Sequence, residues 1–300
     1  MRRVVGLAVV IVLALGITAF ACLRAVDASG TSAPGPGDHV ATSTKSYSLE
    51  VAGQKRSYQV IAPATALPKS DPIIVMLSGL GSTVSQEVSR DRLVNYASAN
   101  DAEIIYPVAF GESWNAGGCC GKAYADNVDD VAFLKALVAK VDPGHARGID
   151  VVGYSNGARL AYRVACTDPG LFDAYAMVKG APPADCPIDT PVSMLVAAAK
   201  NDPEVPYQPG DHGSVESLPM TTLVYRLRGA DKCPADSTVT RSGSVTLTSW
   251  SGCGDGARLG FAVWKSGVHS FPRPPASVPA AAQVIWAFFT NTAIGPLPAA

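Results

Sequence analysis

The stretch IDVVGYSNGARLAYRVAC, residues 149–166, decides the fold of this chain. It begins with an apolar run of strand length and ends with the apolar spacing of an amphipathic helix. Between them, Gly153-Tyr154-Ser155-Asn156-Gly157 matches G-x-S-x-G, the pattern of a sharp strand-to-helix turn that exposes a nucleophilic serine. The flanking residues must be small because side chains there would collide in so tight a turn. The helix N-terminus beside the serine favours developing negative charge, so Ser155 is the candidate nucleophile.

Apolar strands and helical stripes alternate along the rest of the chain. Alternation of this kind predicts an α/β protein with a mainly parallel, doubly wound sheet and helices on both faces, which together with the serine turn indicates the α/β-hydrolase fold. The predicted strands cover 47–51, 56–61, 72–77, 103–108, 149–153, 174–178, 192–198 and 258–264, and the predicted helices cover 85–99, 127–141, 156–166 and 280–290.

A serine nucleophile needs a base, and the chain has four histidines. In this fold, the acid and then the histidine follow the serine along the chain. That order excludes His39 and His145, which precede Ser155, and His212 lies in a Pro/Gly-rich stretch typical of a mobile loop. His269 follows the last predicted strand and precedes the closing helix, so it is the predicted base.

The predicted acid is Asp202. It follows the apolar strand 192–198, at the carboxyl end where active-site residues gather in open α/β sheets. Its carboxylate would accept a hydrogen bond from the ring of His269, which fixes the tautomer and stabilises the imidazolium. Glu204 is the nearest rival acid, and a simple turn before Pro203 is the alternative role for Asp202.

Two backbone amides are predicted to form an oxyanion hole. One belongs to Asn156, the residue after the nucleophile. The other belongs to the loop Ser78-Gly79-Leu80-Gly81-Ser82 after an early strand, and we favour the amide of Leu80 within it.

The acidic pair Asp129-Asp130 lies at the start of the helical stripe 127–141. Asn127 with Asp130 three residues later is an N-terminal capping pattern, and acids in a first turn interact favourably with the helix dipole. We therefore interpret both carboxylates as helix charges and not as catalytic groups.

The N-terminus has the pattern of an export signal. Two arginines precede an apolar run at 4–20, and Ala19-Phe20-Ala21 fits the small-x-small site of signal peptidase. Residues 1–21 are predicted to be a signal peptide, which indicates a secreted or cell-surface protein. Cys22 is a candidate for lipidation and a membrane tether, although its lipobox is poor, and an uncleaved membrane anchor is the third reading.

The chain is expected to carry one large domain. Residues 22–44 are rich in Ser, Thr, Gly, Pro and Ala and are predicted to be a disordered tether. Residues 45–300 have the length of a single α/β catalytic domain, with neither an internal repeat nor a second boundary. A monomer is expected.

The last six cysteines of the chain are expected to form disulfides in an exported protein. Cys233 and Cys253 bracket a predicted β-hairpin and are expected to pair. The two residues of Cys119-Cys120 are not expected to bond each other across one peptide unit. We expect them to reach Cys166 and Cys186, in an order that the sequence leaves open. No C-x-x-C pair and no histidine cluster favours a metal site.

Composition excludes several classes of partner. Hydrophobic residues make up 48% of the chain, charged residues only 16%, and the net charge is -1 with scattered Lys and Arg. A nucleic-acid partner or a strongly charged substrate is therefore not expected. The serine chemistry requires neither a metal nor a cofactor.

Several motifs together resemble one family. The chain is similar to the secreted polyhydroxybutyrate depolymerases and feruloyl/acetylxylan esterases among the α/β hydrolases, including actinobacterial LpqC-like lipoproteins. The family's triad falls on Ser155, Asp202 and His269. The similarity runs from about Pro72 to Pro272, and the matching strings are LSGLGS, ESWNAGGCCG, NVDDVAFLKALV, GYSNGARLAYRVAC, NDPEVPY, WSGC and GVHSFP.

The resemblance also implies where substrate contacts would lie. It places Trp114 and Asn115 near the cleft. Trp114 and Tyr207 are aromatic candidates for stacking on a sugar or an aromatic acid, and a structural role as packed aromatics is the alternative for both. The family has His-Gly where this chain has Ser78-Gly79, and its His-Thr-Trp-Pro is here His-Ser-Phe-Pro. The change at Ser78 is expected to alter the oxyanion loop.

The sequence thus predicts an extracellular serine esterase that acts through an acyl-enzyme. Its ester substrate would be a polyhydroxyalkanoate-type polyester or a feruloyl- or acetyl-bearing polysaccharide. A serine peptidase on the same fold and a non-catalytic surface-binding lipoprotein are the alternatives.

Overall fold

The computed structural model describes residues 41–64, 72–214, 216–272 and 280–292. The predicted signal peptide and the candidate lipidation site at Cys22 lie outside these residues, as does most of the predicted tether. Its last three residues do not belong to a tether, because the first strand already begins at Thr42 and pairs along its whole length with the next strand.

Ten strands among the described residues form one mixed sheet, in the order β1-β2-β4-β3-β5-β6-β7-β10-β9-β8. The six strands from β4 to β10 in this order are parallel, and the two strands at each edge add antiparallel pairs. The strands are β1 (Thr42–Val51), β2 (Gln54–Pro63), β3 (Ile73–Leu77), β4 (Glu103–Pro107), β5 (Ile149–Tyr154), β6 (Ala174–Val178), β7 (Ser193–Ala199), β8 (Thr238–Ser242), β9 (Val245–Trp250) and β10 (Leu259–Trp264).

Helices cover both faces of the sheet, as the α/β prediction requires. One apolar core lies against α4, α5 and α6, and the other lies against α2 and α7. The parallel strands are buried on both faces, which explains their uninterrupted apolar sequences. The helices are α1 (Val84–Asp91), α2 (Leu93–Ala99), α3 (Gly121–Ala125), α4 (Asp130–Val141), α5 (Asn156–Thr167), α6 (Met220–Ala230) and α7 (Ala281–Phe289).

The predicted helix 85–99 is wrong as a single element. Arg92 takes a left-handed conformation with φ 57° and separates α1 from α2. The buried carboxylate of Asp91 accepts the amide N–H of Leu93 at 2.8 Å and the hydroxyl of Tyr106 at 3.1 Å. A buried acceptor at the break therefore stabilises a new helix start that apolar periodicity does not reveal. The sequence prediction also missed α3 and α6.

Asp130 is more than a helix charge. Asp129 is the N-cap of α4, and its side chain accepts the amide N–H of Ala132, so the capping position differs from the predicted one. Asp130 is buried, pairs with Arg56 at 2.7 Å and accepts the amide N–H of Asn115 at 2.7 Å. Its carboxylate therefore joins β2, α4 and the loop before α3, a tertiary role that spacing does not predict.

One of the disulfides has the expected partners, and the other two do not. Cys233 and Cys253, which the sequence pairs, are joined around the hairpin of β8 and β9. The expectation that Cys119-Cys120 reach the other two cysteines is wrong. Cys166, in the last turn of α5, bonds to Cys186 across a Cα separation of 5.9 Å, whereas Cys119 and Cys120 bond to each other.

Within the part of the chain that the structure describes, no helix combines the length and the apolar character needed to cross a membrane. The same residues contain no cluster of His, Cys, Asp or Glu side chains arranged to hold a metal ion.

Candidate active site

The turn between β5 and α5 holds Ser155 in an unusual backbone conformation, with φ 53° and ψ -115°. Such a conformation costs free energy and persists only where the surrounding structure enforces it. Here the amide N–H of Ser155 donates to the carbonyl of Val178 on the neighbouring strand at 3.0 Å. The glycines on either side permit close packing, since a Cβ at Gly153 would lie 2.5 Å from the backbone of Ala158.

Substitution of Gly157 by alanine tests this packing. A Cβ there would lie 2.6 Å from the carbonyl oxygen of Ser78 and closer still to that of Leu77, both rigid backbone groups. We expect Gly157→Ala to lower the free energy of unfolding by about 3 kcal/mol or more, measured by urea denaturation. Gly170→Ala is the matched control, because its Cβ would meet open space. Equal stabilities of the two variants would contradict the close approach of α5 to β3.

The structure brings the predicted nucleophile and base together. His269 lies in the loop after β10, and its Nε2 is 2.8 Å from Oγ of Ser155, although 114 residues separate them in sequence. The side chain of His269 is 9% exposed, so the contact is shielded from bulk water without being sealed. This distance is within hydrogen-bond reach, as transfer of the hydroxyl proton to the imidazole requires.

Asp202 completes the line of hydrogen bonds. It lies after β7, and its Oδ1 is 3.0 Å from Nδ1 of His269. Burial favours a raised pKa for this carboxyl, but the hydrogen bond from His269, the amide N–H of Glu204 and the nearby positive charges prevail and hold its pKa below the usual value. Asp202 is therefore a carboxylate at neutral pH and accepts the Nδ1–H of the ring.

The rival acid Glu204 lies on the other side of the histidine. Its Oε2 is 3.6 Å from Nε2 of His269, the nitrogen that faces Ser155, and its side chain is 49% exposed. An acid on that nitrogen cannot fix the tautomer that leaves Nε2 free to accept the serine proton. The geometry therefore favours Asp202 over Glu204 in the orienting role.

Three side chains that sequence reasoning missed hold the histidine loop. Tyr154 donates its hydroxyl to the carbonyl of His269 at 3.1 Å, and the side chain of Asn201 accepts the amide N–H of Gly267 at 2.8 Å. The buried ammonium of Lys179 donates to the carbonyl of Val268 and lies 3.5 Å from Oδ2 of Asp202. The position of Lys179, a charged residue directly after the apolar strand β6, was the one sequence feature that could have indicated its role.

Leu80 and Asn156, which carry the predicted oxyanion amides, line one cleft together with Ser155 and His269. The amide N–H of Gly81 donates to the carbonyl of Glu112 at 2.8 Å, and that of Gly79 donates to the buried carboxylate of Glu87 at 3.3 Å. The amides of Leu80 and Asn156 donate to no group among the described residues. These two N–H groups are therefore free to bind an oxyanion, and Glu87 is a supporting residue that the sequence did not reveal.

Trp114 lies near the cleft, as the resemblance implies, but its side chain does not line the cleft. It is fully buried, and its Nε1–H donates to the carbonyl of Ser78 at 2.9 Å. Its amide donates to Oδ1 of Asn156, and Nδ2 of Asn156 donates to its carbonyl. Trp114 thus ties the loop before Leu80 to the first residue of α5, the two segments that supply the free amides.

Asn115 and Tyr207 do not line the cleft either. Asn115 is buried and donates its side-chain N–H to the carbonyl of Val128 at 2.9 Å. Tyr207 is half-buried and stacks on Phe261 of β10, with ring centroids 6.2 Å apart. Asn115 is thus enclosed in the interior and Tyr207 packs on the sheet, a distinction that depends on tertiary contacts and not on residue type.

The cleft above Ser155 encloses about 440 Å³. Such a volume suits a small ester or the end of a larger one. Its rim combines apolar groups with a few charged groups of both signs. The residues that line it include Leu80, Arg90, Cys119, Cys120, Tyr154, Arg159, Lys179, Ala181, Glu204, Val205 and His269.

Comparisons with known proteins agree with this architecture. No protein-family model matches the chain. The protein named "Putative esterase NocK" from Nocardia uniformis subsp. tsuyamanensis is 30% identical over 175 residues, which cover 55% of this chain and 50% of that protein. The chain thus spans about half the length of the curated relative it matches.

Two solved structures share the fold over most of the chain. The "Putative Dienelactone Hydrolase" of Klebsiella pneumoniae subsp. pneumoniae MGH 78578 aligns with a TM-score of 0.53 at 17% identity, covering 83% of this chain and 99% of that one. An acetyl xylan esterase from Aspergillus awamori aligns with a TM-score of 0.52 at 14% identity, covering 76% and 95%. Because the sheet order, the strained serine turn and these alignments agree, the chain has the α/β-hydrolase fold.

Proposed function

We propose that this protein hydrolyses carboxylic esters through a covalent acyl-enzyme on Ser155. One observation carries the proposal: Oγ of Ser155, the ring of His269 and the carboxylate of Asp202 form a continuous line of hydrogen bonds, with distances of 2.8 and 3.0 Å. The free amides of Leu80 and Asn156 flank the same serine. This arrangement contains a nucleophile, a base, an orienting acid and oxyanion donors, the groups that acyl transfer needs.

In the first half of the reaction, Nε2 of His269 takes the hydroxyl proton while Oγ of Ser155 bonds to the ester carbonyl carbon. The carbonyl oxygen becomes an oxyanion and accepts N–H groups from Leu80 and Asn156. Asp202 stabilises the imidazolium that forms. When the carbon–oxygen bond to the alcohol breaks, His269 returns the proton to the leaving oxygen, and the acyl group stays on Ser155.

In the second half, water takes the place of the alcohol. His269 removes one proton from the water, whose oxygen bonds to the acyl carbon and gives a second oxyanion in the same hole. When the bond to Oγ breaks, the proton passes from His269 to Ser155. The free acid leaves, and each step uses groups that this chain supplies.

The natural ester that we propose is a polyhydroxyalkanoate-type polyester or a feruloyl- or acetyl-bearing polysaccharide. The sequence motifs support it through their resemblance to enzymes of those classes. The Nocardia relative is named as an esterase, and the Aspergillus structure is an acetyl xylan esterase, which agree with carboxylic ester chemistry. The open cleft is compatible with the end of a polymer.

We also propose that the protein acts outside the cytoplasm, either secreted or tethered through Cys22. The signal peptide predicted at 1–21 from the sequence supports this location. So do the two disulfides Cys166–Cys186 and Cys233–Cys253, because such bonds persist in oxidising compartments.

A substrate panel tests the proposed activity. We expect the purified protein to hydrolyse 4-nitrophenyl butyrate. Among three candidate natural substrates, namely 3-hydroxybutyrate oligomers, methyl ferulate and acetylated xylan, we expect it to prefer one. Chromatography of the products measures hydrolysis of each. A fluorophosphonate should label the wild-type protein, because that reagent needs an activated serine. Cleavage of peptide 4-nitroanilides in preference to every ester would instead favour a peptidase. Folded protein that neither labels nor hydrolyses any ester would contradict the proposal.

A further inference from the structure

The guanidinium of Arg159 lies in the wall of the catalytic cleft, one helical turn after Ser155 on α5. Arg159 is 5% exposed, and a fully buried arginine is rarely found without an acid beside it. Within the described residues, however, no carboxylate lies within 4 Å of it. Asp185, the acid whose charge acts on it, is exposed and outside ion-pair range.

Backbone carbonyls satisfy only part of this guanidinium. Nε donates to the carbonyl of Gly117 at 2.8 Å, and Nη1 donates to those of Ala181 at 2.5 Å and Glu216 at 3.4 Å. Nη2 donates to no described group. It lies beside Gly118, where the absence of a side chain leaves space around it: a Cβ at that position would be 3.2 Å away. One edge of the fork is thus fixed, and the other remains available.

The other charges of the cleft already have partners. Arg90 pairs with Glu87 at 2.7 Å, and Lys179 lies 3.5 Å from Asp202. The side chain of Glu204 lies 3.6 Å from Nε2 of His269. Among the described residues that line the cleft, Arg159 is therefore the cation that lacks a counter-ion. Burial lowers its pKa because desolvation disfavours the charged form, and an anion beside the guanidinium would offset that cost.

We propose that Arg159 binds a carboxylate carried by the substrate, so that the preferred esters bear a free acid group close to the scissile bond. The inference rests on the proposed esterase function and deepens it. A fixed fork with an unused donor suits a carboxylate, because guanidinium–carboxylate hydrogen bonds are short, charge-assisted and directional. The carboxylate end of a hydroxyacid ester chain belongs to this class, whereas the interior of a neutral polymer does not.

Two matched substrate pairs test the proposal on the full chain. One pair, 4-acetoxybenzoate and 4-acetoxybenzamide, has the charge on the alcohol part. The other, monoethyl adipate and ethyl adipamate, has it on the acyl part. In wild type, we expect the acid to exceed its amide in kcat/KM for at least one pair. Arg159→Met should lower that ratio about 10- to 100-fold, as the loss of a buried charged hydrogen bond predicts.

The controls separate substrate binding from a structural role. Arg163 lies one turn further along α5 and donates to the carbonyl of Asn115 at 2.8 Å, away from the cleft, so Arg163→Met should leave the acid-to-amide ratio within about twofold. Arg159→Lys keeps the charge and should retain part of the preference. Thermal unfolding followed by circular dichroism identifies variants that are folded and comparable.

The outcomes distinguish the two proposals. If Arg159→Met and Arg159→Lys slow the acid and the amide of both pairs equally, the guanidinium acts only through structure, and this inference fails while the esterase function stands. If wild type prefers the acid over its amide in neither pair, the inference about Arg159 also fails. If folded wild type hydrolyses none of the four esters and no 4-nitrophenyl butyrate, the esterase function itself fails.

Discussion

Replacement of Ser155 by alanine is expected to lower kcat for 4-nitrophenyl butyrate by about 10⁴-fold or more. The variant lacks the oxygen that attacks the carbonyl, so no acyl-enzyme can form. The cleft, the free amides of Leu80 and Asn156 and the base His269 would remain, which leaves only residual acceleration of direct attack by water. Initial rates over a range of substrate concentrations measure the effect.

Two further observations make this result specific. Ser155→Ala should lose fluorophosphonate labelling completely, whereas Ser251→Ala, a change at an exposed serine after β9, should keep both labelling and turnover. Circular dichroism should show that all three proteins are folded. Turnover by Ser155→Ala within tenfold of wild type would remove the acyl-enzyme from the mechanism, and with it the role of His269 as a base toward this serine.

Replacement of Asp202 by asparagine is expected to lower kcat by about 10³- to 10⁴-fold with the fold intact. The amide is uncharged and can present an N–H to Nδ1, which would favour the tautomer that carries its proton on Nε2. That tautomer cannot accept the proton of Ser155. Because the pKa of Asp202 lies below its usual value, the wild-type carboxylate is ionised throughout the assay range of pH 5 to pH 9.

The neighbouring acid provides the matched control. Glu204→Gln removes a charge that is half exposed and 3.6 Å from the histidine, so kcat should change by less than about fivefold. Both variants are assayed between pH 5 and pH 9, and the loss in Asp202→Asn should persist throughout because no titration restores the carboxylate. A larger loss in Glu204→Gln than in Asp202→Asn would exchange the roles of the two acids.

Local pattern was sufficient for the α/β class, for the strands near the serine turn and for the order of the three candidate residues. Gly153 and Gly157 flank Ser155 within one short segment, so steric limits on a tight turn can be inferred from adjacent residues. The positions of Asp202 and His269 followed from a general rule about where loops leave a parallel sheet. Such rules depend on chain order, which a sequence states directly.

Other features depended on contacts between distant segments. Arg92 ends α1 because Asp91 is buried beside Tyr106, and Asp130 is an internal anchor because Arg56 from β2 reaches it. Trp114 is fully buried and packs against the predicted oxyanion loop, since its ring donates to the carbonyl of Ser78. Neither residue type nor spacing distinguishes these roles from their alternatives.

The sequence by itself determined a doubly wound sheet, a strained serine turn and the chain order of the proposed nucleophile, acid and base, because each depends on short-range sterics or on strand order. Only the tertiary structure decided that Lys179 supports the histidine loop, that Glu87 holds Gly79 and that Arg159 lacks a counter-ion in the cleft. Those facts depend on which buried polar groups find a partner and which do not after the chain has packed. Desolvation acts on that three-dimensional environment and not on neighbours in sequence.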